Sequence, residues 1–158
     1  MGLVTAVEIL ELAVKLERNG AAYYRRAADL TPDSCARAFL RDLAAMEDRH
    51  VDSFQTMLRR VPPTVLPDPG AEEFLKTVAE RRVFAIDVDP SEGLTGRESV
   101  PEILRQAIQL EKDSVVFYVA IGLVTPDPDD KDVLQEILQE ELGHITLLAD
   151  QLALHAES

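Results

Sequence analysis

Two glutamate–histidine pairs, Glu47 with His50 and Glu141 with His144, each stand three residues apart. On an α-helix that spacing puts both side chains on one face, within reach of a common ion. Glu17 and Glu111 each precede a tyrosine, Tyr24 and Tyr118, by seven residues. Seven residues are two helical turns, about 10 Å along the axis, so each Glu shares a face with its Tyr. Thirty residues separate Glu17 from Glu47 and Glu111 from Glu141, the spacing at which antiparallel partners of a hairpin meet at one depth. Four carboxylates and two imidazoles at one level of a bundle would repel or take up protons unless cations lay between them. Two divalent metals satisfy the set, and carboxylate with imidazole suits iron, manganese or zinc alike. The expected metal ligands are therefore Glu17, Glu47, His50, Glu111, Glu141 and His144.

A single E-x-x-H is weak evidence, because surface Glu and His are common, and a Tyr on an apolar face is usually core. The weight comes from repetition. A shift of 94 residues places Glu8-Ile9-Leu10 on Glu102-Ile103-Leu104, Leu16-Glu17 on Leu110-Glu111, and Tyr24 on Tyr118. The same shift takes Thr31-Pro32-Asp33 to Thr125-Pro126-Asp127, Leu40 to Leu134, Glu47 to Glu141 and His50 to His144 without a gap. Shared ancestry of the halves preserves residues, but Glu and His buried mid-bundle are costly to keep without a ligand. His155 has no counterpart in the repeat and reads as an exposed terminal residue.

The elements that must position these residues are legible as well. Thr5-x-x-Glu8 and Ser99-x-x-Glu102 fit capping boxes at helix starts. Thr31 and Thr125 are each followed by Pro, which suits the first turn of a helix. Helices are expected over Val4–Asp29, Asp33–Arg60, Val100–Val124 and Asp129–His155, with ends uncertain by about three residues. Leu40, Leu43, Ala44, Val51, Phe54 and Leu58 recur at three-and-four spacing and form one buried face. The chain reads as one all-α domain, 1–158: a hairpin over 4–60, a connector over 61–99 and a second hairpin over 100–156. In the connector, Pro62, Pro63, Pro67 and Pro69 stop the second helix, and Ala71–Phe84 has the pattern of a short amphipathic helix. A single long crossover between hairpins is the ferritin-like arrangement of a four-helix bundle.

Composition narrows the function. Of 158 residues, 46% are apolar and only 5% aromatic, which favours a helical core over a sheet. The net charge of −13 opposes nonspecific binding to nucleic acid or an anionic membrane and favours cations. Cys35 is the one cysteine; it forms no intrachain disulfide, and a buried, hydrophobe-like role and a reducing, cytoplasmic setting are expected. Met1–Leu12 lacks the pattern of a secretory signal, and the apolar run Val115–Val124 is half a membrane span.

With E-x6-Y followed by E-x-x-H in each half, the chain resembles the rubrerythrin branch of the ferritin-like superfamily over about 120 residues, with all eight motif positions present. The resemblance implies a di-iron site that reacts with hydrogen peroxide or dioxygen. It implies Glu17 and Glu111 as mainly terminal ligands, Glu47 and Glu141 as bridges, and His50 and His144 as completing one metal each. Tyr24 and Tyr118 would be hydrogen-bond donors to the ligand carboxylates. One cysteine cannot form the rubredoxin-like centre that rubrerythrins usually carry, so electrons are expected from an external donor protein. The family's further Glu, three residues beyond the first Glu of the second half, is replaced by Ser114, matched by Gly20; these small side chains are expected to leave access to the site. The expected function is an oxidoreductase reducing peroxide or dioxygen. The alternatives are an iron-handling ferroxidase or storage protein and a non-redox metal-binding bundle. The connector is longer than bundle connections usually are, and the apolar side of Phe74, Leu75, Val78, Val83 and Phe84 wants cover. A homodimer is therefore expected, with exchange of hairpins between chains as a variant of it.

Overall fold

The computed structural model of the chain describes residues 5–62, 88–125 and 127–156, together with Glu73 and Thr77. Its four long helices are α1 (Ala6–Leu30), α2 (Ser34–Arg60), α3 (Val100–Val124) and α4 (Pro128–Ala156), with a 3₁₀ turn at Pro90–Gly93 before α3. Every end lies within three residues of the sequence expectation.

Local chemistry fixes these ends. Glu8 accepts from the Thr5 backbone N–H at 2.8 Å while its own N–H donates to the Thr5 hydroxyl at 3.2 Å, closing a reciprocal cap. At α3, Glu102 accepts from both the N–H and the hydroxyl of Ser99 at 2.7 Å. The Thr-Pro pairs act one step earlier than expected. Thr31 and Thr125 close α1 and α3, their hydroxyls donating to Ala27 O at 2.7 Å and Ile121 O at 2.8 Å. Asp33 is the N-cap of α2, so Pro32 lies outside the helix rather than in its first turn.

The core divides into two layers. One contains Ile9, Leu10, Val14, Phe54, Met57, Phe117, Tyr118, Ile121, Leu134 and Ile137. The other contains Tyr23, Tyr24, Ala27, Leu40, Leu43, Ile103, Leu104, Ala107 and Leu148. The first layer takes the start of α1, the end of α2, the end of α3 and the start of α4. Each hairpin is therefore antiparallel, whereas α2 and α3 run in the same direction, and the connector must travel the length of the bundle. That is the all-α, ferritin-like topology with one long crossover. The end of the crossover lies along α1, with Leu94 buried in the second layer and Asn19 Nδ2 donating to Val88 O at 3.4 Å.

Of the expected connector helix Ala71–Phe84, only Glu73 and Thr77 are described; both are helical, and the Thr77 hydroxyl donates to Glu73 O at 2.8 Å. Phe74, Leu75, Val78, Val83 and Phe84 lie outside the described residues. Two smaller expectations are corrected. Cys35 is exposed, because it occupies the first turn of α2 on the side away from the core. His155 is half-buried rather than exposed. It lies about 16 Å along α4 from His144 by helical rise. Among the described residues no helix is long and apolar enough to cross a membrane.

Phe54 is fully buried, with its ring centroid 5.0 Å from that of Tyr118. It links the apolar layer to the polar one beside it. Phe54→Ala is expected to lower the unfolding free energy by about 3–5 kcal/mol, measured as a shift of the urea midpoint against the unsubstituted chain.

Candidate metal centre

Between the two apolar layers, each helix contributes to a single polar layer. Glu17, Glu47, Glu111, Glu141, His50 and His144 are all at most 3% exposed. Their ligand atoms form two groups, Glu17, Glu47, His50 and Glu141, and Glu47, Glu111, Glu141 and His144, each with its atoms within 4.8 Å of one another. Glu47 and Glu141 belong to both groups; Glu17 and His50 belong to one, Glu111 and His144 to the other. All six residues expected from the sequence are brought together.

Both imidazoles turn Nδ1 inward. His50 Nδ1 lies 3.0 Å from Glu141, 3.3 Å from Glu17 and 3.7 Å from Glu47. His144 Nδ1 lies 3.0 Å from Glu141, 3.4 Å from Glu47 and 3.7 Å from Glu111. The rings lie near-parallel, with centroids 5.8 Å apart. Among the described residues, Glu17 Oε2, Glu47 Oε1, His50 Nδ1 and Glu141 Oε1 are buried and without a directed hydrogen bond. Buried acceptors left in this way cost about 1–3 kcal/mol each, and more when charged. Four orphaned donor atoms converging in one layer, all oxygen or imidazole nitrogen, fit divalent cations of the iron, manganese and zinc class.

The tyrosines cross between the hairpins. Tyr24 of α1 donates to Glu111 of α3, and Tyr118 of α3 donates to Glu17 of α1. Burial, reinforced by those carboxylates, holds both phenols well above their ordinary values, so they remain donors. Tyr118 commits Glu17 Oε1 and leaves Oε2 toward His50 Nδ1, whereas Tyr24 and His144 Nδ1 approach the same oxygen of Glu111, Oε1.

Without metal the cluster must hold protons. Burial and then the charges of Glu17 and Glu111 push Glu47 well above the ordinary carboxylate range. Burial raises Glu111 to about 7, although His144 opposes it. Burial would raise Glu141 too, but the imidazoles of His144 and His50, each with Nδ1 3.0 Å from it, outweigh burial and hold that carboxyl low. Burial disfavours the charged form of His144, yet Glu111, Glu141 and Glu47 together raise it to about 12. His50 is raised for the same reason, by Glu141, Glu17 and Glu47 against burial.

Gly20 and Ser114 flank the layer where it opens. A cavity of about 100 Å³ is lined by both, by Asn19 and Asp113, and by Val88 and Pro90 of the crossover, and it reaches Glu47 and Glu111. A Cβ added at Gly20 would meet the Glu47 carboxylate at 3.5–3.6 Å, ordinary contact, so the space is compatible with Ala but shrinks with anything larger.

One residue at the layer was missed by sequence reasoning. Glu140 Oε2 lies 3.1 Å from His50 Nε2 and accepts its N–H. Its counterpart in the first half is Met46, so a search for repeated residues passes over it; the only signal was its place directly before Glu141.

Comparisons with known proteins agree with this geometry. The family model described as rubrerythrin matches residues 8–152. A crystal structure described as a ferritin-like diiron-carboxylate protein of Thermotoga maritima is similar in fold, with a TM-score of 0.72, 20% identity and coverage of 97% of each chain. A comparison with curated proteins returns no match.

Protons held at neutral pH on Glu47, on the two imidazoles and in part on Glu111 must leave when cations bind. Apparent affinity for manganese(II) is therefore expected to rise from pH 6 to pH 8, by about tenfold per pH unit for each proton displaced. Calorimetry in two buffers of different ionisation enthalpy reads the protons released; zero release would contradict the protonated cluster.

Proposed function

Since the chain belongs to the rubrerythrin family, its model matching residues 8–152, we propose that the buried cluster holds two iron ions and reduces hydrogen peroxide or dioxygen with electrons from an external donor protein. Glu47 and Glu141 are the bridging ligands in this reading, because they alone belong to both groups of converging atoms. Glu17 with His50 completes one position, and Glu111 with His144 the other. Tyr24 and Tyr118 orient Glu111 and Glu17 and prevent them from turning away from the ions. Two ferrous ions held by these residues would supply one electron each, enough with two protons to reduce a peroxide to two waters.

The observation that carries the redox reading is the cavity between Gly20 and Ser114. Among the described residues it reaches Glu47 and Glu111, and at about 100 Å³ it is only large enough for small molecules. An open approach is what a reacting metal site needs and a purely structural one does not. The strong negative charge supports the second reading, iron oxidation for storage or transfer, by attracting cations.

Changing either Glu47 or Glu141 to Ala removes a ligand shared by both positions, so metal content measured by elemental analysis should fall from near two per chain to below one. Retention of two in both variants would reject the site. In stopped-flow traces, peroxide should oxidise the ferrous protein faster than it oxidises apo protein mixed with free ferrous iron. Equal rates would reject the peroxidase reading, and iron uptake well beyond two per chain would favour storage.

The homodimer also belongs to this proposal. Val116, Val119 and Leu123 stand on one face of α3 at 48–68% exposure, with Leu142 of α4 at 54%. Their counterparts in the first hairpin are Ala22, Arg25, Asp29 and Asp48, and there Arg25 and Asp48 form an ion pair. The second hairpin thus carries an apolar outer face where the first carries a salt bridge, which supports a second copy covering it. Val119→Arg is expected to convert a dimer to a monomer in light scattering while leaving helical content unchanged; a monomeric parent would reject the dimer.

A further inference from the structure

Nδ1 of each histidine faces the carboxylates, so if both rings bind metal through that atom, each ring's proton must be on Nε2. The two Nε2 atoms are in different surroundings. That of His50 lies 3.1 Å from Glu140 Oε2, a carboxylate whose side chain is 49% exposed and which reaches in from the rim of α4. That of His144 is buried and, among the described residues, has no hydrogen-bond partner. The repeat explains the difference: Glu140 maps onto Met46, and a thioether cannot match a carboxylate as an acceptor.

We propose that Glu140 is a positioning residue for His50, and that it makes the two metal positions unequal, the one served by His50 binding its ion more tightly and filling first. This rests on the reading that the cluster holds two metals. An Nε2–H bonded to a carboxylate fixes the ring's tautomer and plane and makes Nδ1 a better donor. Among the described residues the ring of His144 has no such hold, and its buried Nε2–H has no acceptor. The inner ligands of the two halves match position for position, so this outer contact is a difference within an otherwise duplicated set.

The test is stepwise binding of manganese(II) to the full apo chain, followed by calorimetry, with cobalt(II) absorption as a second readout. The parent should bind two ions with separable affinities. Glu140→Ala should weaken one of them by about 10–100-fold and leave the other within a few-fold. Glu140→Gln keeps an acceptor oxygen but no charge and should restore most of the loss. If Glu140 acted only through its charge, Gln would behave like Ala and both ions would weaken; that result would overturn the proposal. In a His50→Ala background, Glu140→Ala should have no further effect, whereas in a His144→Ala background its full effect should remain. The reverse pattern would also overturn it. Two equal affinities in the parent, unchanged in Glu140→Ala, would refute the inequality while leaving the two-metal reading intact. Fewer than two ions bound by the parent would refute both. Because Glu140 is half-exposed, circular dichroism should show each variant as helical as the parent.

Discussion

Four carboxylates within one layer of an apolar bundle are the condition that the rest of this molecule has to meet. Moving a single charge from water into a protein interior costs several kcal/mol even after relaxation. A domain of this size has a net stability of only about 5–15 kcal/mol. Four uncompensated charges would exceed that margin, so the layer has to be neutralised in every state the protein occupies. In the absence of metal, burial favours a proton on Glu47 and, in part, on Glu111, and the carboxylates favour imidazolium at His50 and His144, which lowers the net charge of the layer. Two divalent ions would do so with the protons gone. The cluster thus exchanges one set of positive charges for another, and the fold around it need not change.

The same layer ties the two hairpins together. Tyr24 and Tyr118 reach across to Glu111 and Glu17, so each half supplies the donor that the other half's carboxylate requires. These bonds are buried, where a lost partner costs more than the bond is worth in water. Apolar layers above and below exclude solvent from them, with Phe54 and Phe117 packed against Tyr118 on one side. On the other side Tyr23 stands edge-on to Tyr24, its hydroxyl donating to Ile103 O at 2.9 Å. Register between hairpins is fixed by polar contacts, and depth within each hairpin by the thirty-residue spacing of its glutamates.

Much of this was readable without coordinates, because helical periodicity and the 94-residue repeat are both properties of the chain itself. The six clustered residues were found since each has a partner at the same place in the other half. The pairing of each tyrosine with the opposite hairpin was not readable: Tyr24 lies two turns from Glu17 on its own helix, and only packing shows that it turns toward α3. The Thr-Pro pairs were read as the starts of helices, whereas Thr31 and Thr125 bond back to the preceding turn and Asp33 and Asp127 accept from the first N–H groups of the next helix. Glu140 was overlooked for a different reason. A repeat reports what two halves share, and Glu140 matters through what they do not.

Where the halves differ therefore says as much about the chemistry as where they agree. Inside the layer the duplication is complete: Glu17 with Glu111, Tyr24 with Tyr118, Glu47 with Glu141, His50 with His144. One shell out it fails at Met46 against Glu140, at Gly20 against Ser114 and at Asn19 against Asp113. The last two of these pairs line the cavity; the first flanks the cluster through His50. On the outer surface the difference is larger still, with Arg25 and Asp48 replaced by Val119 and Leu142. A duplicated hairpin can diverge freely only where the partner half does not impose its own geometry, and the shared layer is where that imposition is strongest. Asymmetry in such a site consequently has to enter from its rim, through the residues that hold the ligands and those that leave space beside them.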